Sequence, residues 1–312
     1  MRGGGLSGQS RDVLRKPLSS WRDLKEDGLR LFFAATGVLA ILGLLGIFSL
    51  LLTESLPALK TLGVSEFFFR LRWDPTSPER PSYGLLAMIV STLMVTIGAL
   101  ALAVPVGVAC AAFLAEGAPS QLREFLKVAV EILASIPSVV VGFLGVVLVG
   151  PFIARLFRIP SGLCALNGAL LLAVMALPTI VSICEDAIIS VPQEFKSASL
   201  ALGATKWQTL VHVTLPSASS GIIAAVMLGM GRAIGETMTV LMATGNAAAL
   251  PRSFLDPVRT MTATIAIEMG ETVQGSLHYQ SLFVIGLVLF CMTFAVNVVS
   301  DLVLERFQRV RR

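Results

Sequence analysis

Charge is scarce in this chain. Of its 312 residues only 14% are Asp, Glu, Lys or Arg, against about a quarter in a soluble domain, while 55% are hydrophobic. That imbalance, with a mean hydropathy of +0.82, excludes an ordinary soluble globule and puts most of the chain in a bilayer. Histidine is rarer still: His212 and His278 stand alone, which leaves no nucleophile–base pair and no metal constellation. Cys110, Cys164, Cys184 and Cys291 are far apart, form no CxxC pair, and lie in or beside apolar runs. They read as packing residues, not as metal ligands or disulfides. A GxxxxGK(S/T) phosphate loop is also absent, so the chain by itself presents no ATP site of the usual kind. No bound cofactor and no catalytic residue are expected.

What is present is a series of apolar runs, each of the roughly 20 residues a helix needs to cross a bilayer. They cover Leu29–Leu52, Leu85–Leu114, Val128–Val149, Ala165–Ile183, Ser217–Ala243 and Leu282–Leu304. The fold class expected is therefore all-α and integral to a membrane, with six transmembrane helices. The divisions are an N-terminal tail (1–28), a first span (29–52), an outer loop (53–84), a core of five spans (85–304) with a polar loop at 190–216, and a C-terminal tail (305–312). The first run is too long for the core of a cleaved leader, and reads as a retained span. Pro105 is expected to kink the second. Lys and Arg concentrate in the two tails and in the loops on the same side, which favours both termini in the cytoplasm. The net charge of +4 thus serves topology and contact with membrane lipid; a nucleic-acid partner is not expected.

Two segments carry chemistry. In the polar loop, Ser197, Ala198 and Ser199 are followed after three residues by Gly203 and Ala204, after nine by Val213, and then by Leu215-Pro216. Irregular apolar positions predict short amphipathic helices there, broken at Gly203. Small residues let another protein approach the backbone closely. In the fifth run, Arg232 and Glu236 stand four positions apart, which on a continuous helix puts both on one face, with Thr239 continuing the stripe. Ionisable groups at such depth cost at least about 2.5 kcal/mol each, so they face a bundle interior or a wet cavity. Two readings stand: a structural salt bridge, or an anion gate in which Glu236 steadies the Arg232 fork that a passing oxyanion meets. Gly231 and Gly235 add a GxxxG pattern suited to a close helix neighbour. Ser135 and Ser138 flank Pro137, which either frees backbone to line a cavity or simply kinks a helix. Glu185 and Asp186 read as a solvated helix end or a contact with the polar loop. Glu268, Glu271, Arg70, Arg72 and Arg80 read as water-facing or partner-docking groups.

The loop spacing resembles the EAA coupling motif of binding-protein-dependent ABC importer permeases, with Ser197 and Ser199 where the family usually has Glu and Ala. The run Leu228-Gly229-Met230-Gly231-Arg232-Ala233-Ile234-Gly235-Glu236-Thr237-Met238 is similar to the signature of the PstC family of phosphate permeases. So are Glu131–Val140 with Gly142, and Pro105-Val106-Gly107 followed by Leu114-Ala115-Glu116. The resemblance covers roughly residues 85–304. It implies a type I ABC importer permease fold, a PstA-like second permease as heterodimer partner, and two copies of an ABC ATPase engaging Ser197–Ser199 and Gly203–Ala204. It also implies a periplasmic or lipid-tethered phosphate-binding protein, inorganic phosphate as cargo, and ATP bound on the partner subunit. Arg232, Glu236, Thr239, Ser135 and Ser138 would line the path. Alternatives are another oxyanion (sulfate, molybdate, a phosphonate), an ion-coupled carrier, or a phosphate-sensing scaffold that transports nothing.

Overall fold

The computed structural model describes residues 21–309. Helix α1 (Trp21–Leu62) is the longest. Its residues up to Leu50 form a unit of their own, whose apolar side chains, Leu31, Phe33 and Leu39 among them, are exposed as lipid-facing groups are. The chain from Leu51 onward forms the second unit.

In that unit, α2 (Val64–Phe69) leads into a small hairpin of β1 (Trp73–Asp74) and β2 (Ser82–Tyr83), paired antiparallel with Trp73 opposite Tyr83. Then come α3 (Leu86–Ala112), α4 (Ser120–Ser135), α5 (Ser138–Leu144), α6 (Gly150–Phe157) and α7 (Ala165–Ile189). The polar loop supplies α8 (Gln193–Ala201) and α9 (Lys206–Thr209). A single turn, α10 (Leu215–Ser217), precedes α11 (Ser219–Gly235), α12 (Met238–Ala243), α13 (Met261–Glu268) and α14 (Leu277–Arg309). Among the described residues five helical segments are long and apolar enough to span a membrane, or six when the pair Lys206–Ser217 and Ser219–Gly235, bent by 68°, counts as one.

Among the described residues three apolar clusters hold the unit together, the smallest being Val141, Leu171, Met175 and Ala243, where α5, α7 and α12 meet. The first joins α3, α7 and α11 through Ala99, Ala103, Leu172, Ile180 and Ala225. The helices approach closely because small residues face Ile180: Gly107 on α3 and Gly229 on α11 leave no room for a Cβ beside it. Without a hydrophobic driving force between helices in lipid, such close van der Waals contact is what binds them. The second cluster joins α2, the hairpin, α13 and α14 through Phe67, Trp73, Met261, Leu282 and Ile285. Between these layers the loop before α13 caps α7. The carbonyls of Asp256 and Phe254 accept from the amides of Ala165 and Leu166, two first-turn donors that would otherwise lack partners.

Two expected spans differ. The run expected at Val128–Val149 is two segments: α4 ends at Ser135, Ile136 and Pro137 are extended, and the spanning helix covers Ser138–Phe157. Proline cannot donate to the helix and pushes the residue before it out of helical conformation, so the break falls at Ile136–Pro137 and is more than a kink. The run expected as one helix over Ser217–Ala243 breaks twice, at the bend around Ala218 and at Glu236, which is extended at φ −69° and ψ 130°. Three glycines in the last seven residues of α11 weaken it there. Pro105, by contrast, lies inside α3 without ending it. The fourth span runs on to Ile189 and the last begins at Leu277.

Candidate functional site: a helix break and an exposed polar loop

Because the helix ends at Gly235, Arg232 and Glu236 do not share a helical face. Arg232 occupies the last turn of α11, where the unpaired carbonyls favour a cation. Its side chain is exposed, and Nη1 donates to Thr179 Oγ1 on α7 at 3.2 Å. Among the described residues it forms no ion pair. Glu236 turns instead toward α12: its Oε1 accepts from the Thr239 amide at 3.4 Å, and its carbonyl accepts from Thr262 Oγ1 at 3.0 Å. The expected guanidinium–carboxylate couple is therefore absent, since a four-residue spacing brings side chains together only while the helix continues.

Thr239 is also placed differently from the expectation. It is fully buried and donates to the Ser138 carbonyl at 3.1 Å, so it ties α12 to the start of α5 rather than lining a path. Ser138 is half-buried and contributes that carbonyl. Ser135 is exposed, but its hydroxyl is occupied by the Ile132 carbonyl at 2.7 Å, within its own helix. Gly231 and Gly235 have open space around them. Arg232 thus projects from an uncovered surface, with Thr179 as a positioning partner that sequence reasoning missed. The one signal for it was a hydroxyl directly after Pro178 in an otherwise apolar run.

The polar loop folds into the two short helices its pattern predicts. Gly203 turns the chain between them at φ +87°, a left-handed conformation that costs a residue with a Cβ roughly 1–2 kcal/mol. Thr205 and Gln208 form a reciprocal capping box at the start of α9. Ser199 Oγ meets Thr209 Oγ1 at 3.0 Å and straps α8 to α9. Ser197 and Ala198 are exposed, Ser197 Oγ donating to the Glu194 carbonyl, and Ala204 is half-buried. Beside Gly203 the apolar side chain of Leu202 stands out into solvent, 90% exposed, the kind of group a protein partner covers, and Trp207 is also exposed (71%). Lys196, in contrast, is buried and pairs with Glu116 at 2.5 Å, which fixes α8 to the end of α3.

Two acidic groups expected to face water or a docking contact are hubs, Glu185 buried and Glu268 partly buried. Glu185 is held by Arg123 at 2.9 Å and Lys127 at 3.8 Å, which clamps α4 onto α7. Glu268 accepts from Trp73 Nε1 at 2.9 Å and Arg259 Nη1 at 2.9 Å and lies 2.8 Å from His278 Nε2, so the histidine that looked isolated belongs to a cluster joining the hairpin to α13 and α14. Arg70 and Arg72 pair locally with Glu66 and Asp74.

Comparison with known proteins fits this architecture. Residues 103–312 match the family described as the binding-protein-dependent transport system inner membrane component. The chain is 40% identical over 275 residues to a probable ABC transporter permease, YqgH of Bacillus subtilis, covering 88% of this chain and 89% of that one. It is 38% identical to the phosphate transport system permease protein PstC of Xylella fastidiosa, covering 81% and 82%, and 37% identical to PstC of Mesorhizobium japonicum, covering 88% and 87%. Among solved structures, a chain of a bacterial importer of the acidic polysaccharide alginate aligns with a TM-score of 0.61 at 15% identity, covering 92% of this chain and 98% of that chain. A chain of the MetNI methionine transporter aligns with a TM-score of 0.54 at 19% identity, covering 72% and 94%. These two show the fold alone, that of an ABC importer permease. The match of most of the chain, together with PstC relatives above the 30% level, settles the assignment: this chain belongs to the family of inner membrane components of binding-protein-dependent transport systems.

Proposed function

We propose that the chain is the permease subunit of an ATP-driven importer that moves inorganic phosphate across the cytoplasmic membrane. The observation that carries the reading is Arg232. An exposed arginine with no carboxylate partner among the described residues, at the end of a broken helix in a chain with relatives named phosphate permeases, supports an anion-selective path. A guanidinium remains charged at any physiological pH and offers several donors to a tetrahedral oxyanion. Its one neutral partner, Thr179, orients it without cancelling the charge, and a single cation binds weakly enough to release its cargo.

A PstA-like second permease would complete the path opposite Arg232, covering the open faces at Gly231 and Gly235. Two copies of an ABC ATPase would dock at Ser197, Ala198, Leu202 and Gly203 and supply the energy, with ATP held on those subunits. A periplasmic or lipid-tethered binding protein would deliver phosphate to the other face. Both termini would then be cytoplasmic, on the side of the α8–α9 loop.

The test is ATP-dependent phosphate accumulation in vesicles holding the chain with its co-expressed partners. Arg232→Gln is expected to lower uptake at least about 100-fold, the scale for losing a charged contact of roughly 3 kcal/mol, while the complex assembles as before. Uptake that persists in this variant refutes the role of Arg232. Competition by sulfate, molybdate or a phosphonate that matches unlabelled phosphate would reassign the cargo.

A further inference from the structure

A cavity of about 920 Å³ lies between α3 and the α8–α9 loop. One wall is apolar, built from Val104, Val108 and Ala112 of α3, with Leu210 facing them. That wall belongs to Leu86–Gly117, a segment long and apolar enough to span a membrane, which would put the wall at the depth of acyl chains and the rim, at the segment's end, near the headgroups. The rim is cationic and aromatic. Lys196 is buried and neutralised by Glu116, whereas Lys206 is exposed and forms no ion pair among the described residues. Trp207 stands beside it, 71% exposed. Indole and lysine at the end of an apolar wall are the groups that meet a lipid headgroup.

We propose that this cavity binds one anionic phospholipid from the leaflet on the α8–α9 side, its phosphodiester at Lys206 and an acyl chain along α3. Charge complementarity selects the occupant. Lys206 is the one rim cation left over once Lys196 and Glu116 have paired, which matches a single negative phosphodiester. The Glu116 carboxylate disfavours a more highly charged ligand. The volume falls in the range of roughly 300–1,000 Å³ that ligand-sized sites occupy. The site is independent of the transported solute and does not rest on the proposed function.

The experiment uses the full chain, alone and with its co-expressed partners, in nanodiscs of mixed phosphatidylethanolamine and phosphatidylglycerol, followed by native mass spectrometry of the lipid retained. Wild type is expected to retain phosphatidylglycerol. Ala109→Phe fills the cavity from an exposed position on its wall and is expected to abolish retention; Val104→Phe, on the same wall, does the same should the first variant fold poorly. Lys206→Gln is expected to lower the retained ratio of phosphatidylglycerol to phosphatidylethanolamine about fivefold, the scale for one basic residue at an anionic surface. Retention equal to wild type in these variants overturns the proposal. So does a photocrosslinker at position 109 that captures a partner protein in the complex instead of lipid.

Discussion

Arg232 and Glu236 stand four positions apart and do not pair, whereas Arg123 reaches Glu185 across 62 positions at 2.9 Å. The two couples differ first in backbone. A helix that stops at Gly235 removes the geometry that would join the near pair, while the packing of α4 on α7 creates the far one. They differ also in hydration. The Glu185 side chain is 2% exposed, so its charge must be met by protein, and both Arg123 and Lys127 meet it. Arg232 is exposed and keeps its charge available. The ion pairs of Glu185 and Glu116 join separate helices, whereas Arg232 forms none among the described residues and donates only to the neutral Thr179 hydroxyl.

Substitutions on the two sides of this comparison should separate by size. Arg123→Ala leaves a buried carboxylate with only the more distant Lys127, and is expected to destabilise the chain by about 3 kcal/mol, read as a lower melting temperature in detergent. A change near zero would mean that Glu185 is hydrated. Glu268→Gln removes the charge that Arg259 faces and weakens the bonds from Trp73 and His278; about 2 kcal/mol is expected, with loss of protease protection in the hairpin as a second readout. Glu236→Ala deletes only a long bond to the Thr239 amide and should cost about 1 kcal/mol or less. A loss as large as that of Arg123→Ala would show that Arg232 and Glu236 do pair.

The smallest effect concerns pH. The Asp256 carboxylate accepts from the amides of Arg252 and Ser253, at 2.7 and 2.9 Å, and these bonds hold its pKa below the ordinary 3.8. A folded value lower than the unfolded one adds stability above the unfolded pKa, and that stability is lost as pH falls through the folded value. Asp256→Asn should therefore lower the melting temperature a little near neutrality and flatten the decline below about pH 4. An identical acid limb in both proteins would show that Asp256 contributes nothing to it.

The long spans were legible because apolar composition reports depth: α3, α7 and α14 coincide with uninterrupted runs. Composition does not report continuity. Both breaks, at Ile136–Pro137 and at Gly235–Glu236, fall inside stretches whose average composition is that of one span, although Pro137 and the glycines marked where to look. In the polar loop a single glycine with no Cβ sufficed to place the turn at Gly203. The hubs at Glu185 and Glu268 were illegible for a different reason. Their partners come from other helices, and the pairing of Glu268 with Trp73 spans 195 positions. No local pattern encodes such a contact; only the packing of α4 on α7, and of the hairpin on α13, brings the atoms together.

One consequence follows from the interruption at Glu236. Tilting part of an intact helix requires breaking several i→i−4 bonds inside the apolar medium, where no water replaces them. Here the backbone is already extended between α11 and α12, so the segment Met238–Ala243 can swing without sacrificing any of them. What resists the swing is packing, with Val240 and Ala243 buried against α5 and α7, helped by two hydroxyl bonds, Thr262 to the Glu236 carbonyl and Thr239 to the Ser138 carbonyl. The joint was cut when the chain folded, and side-chain contacts rather than a continuous backbone ladder hold it shut.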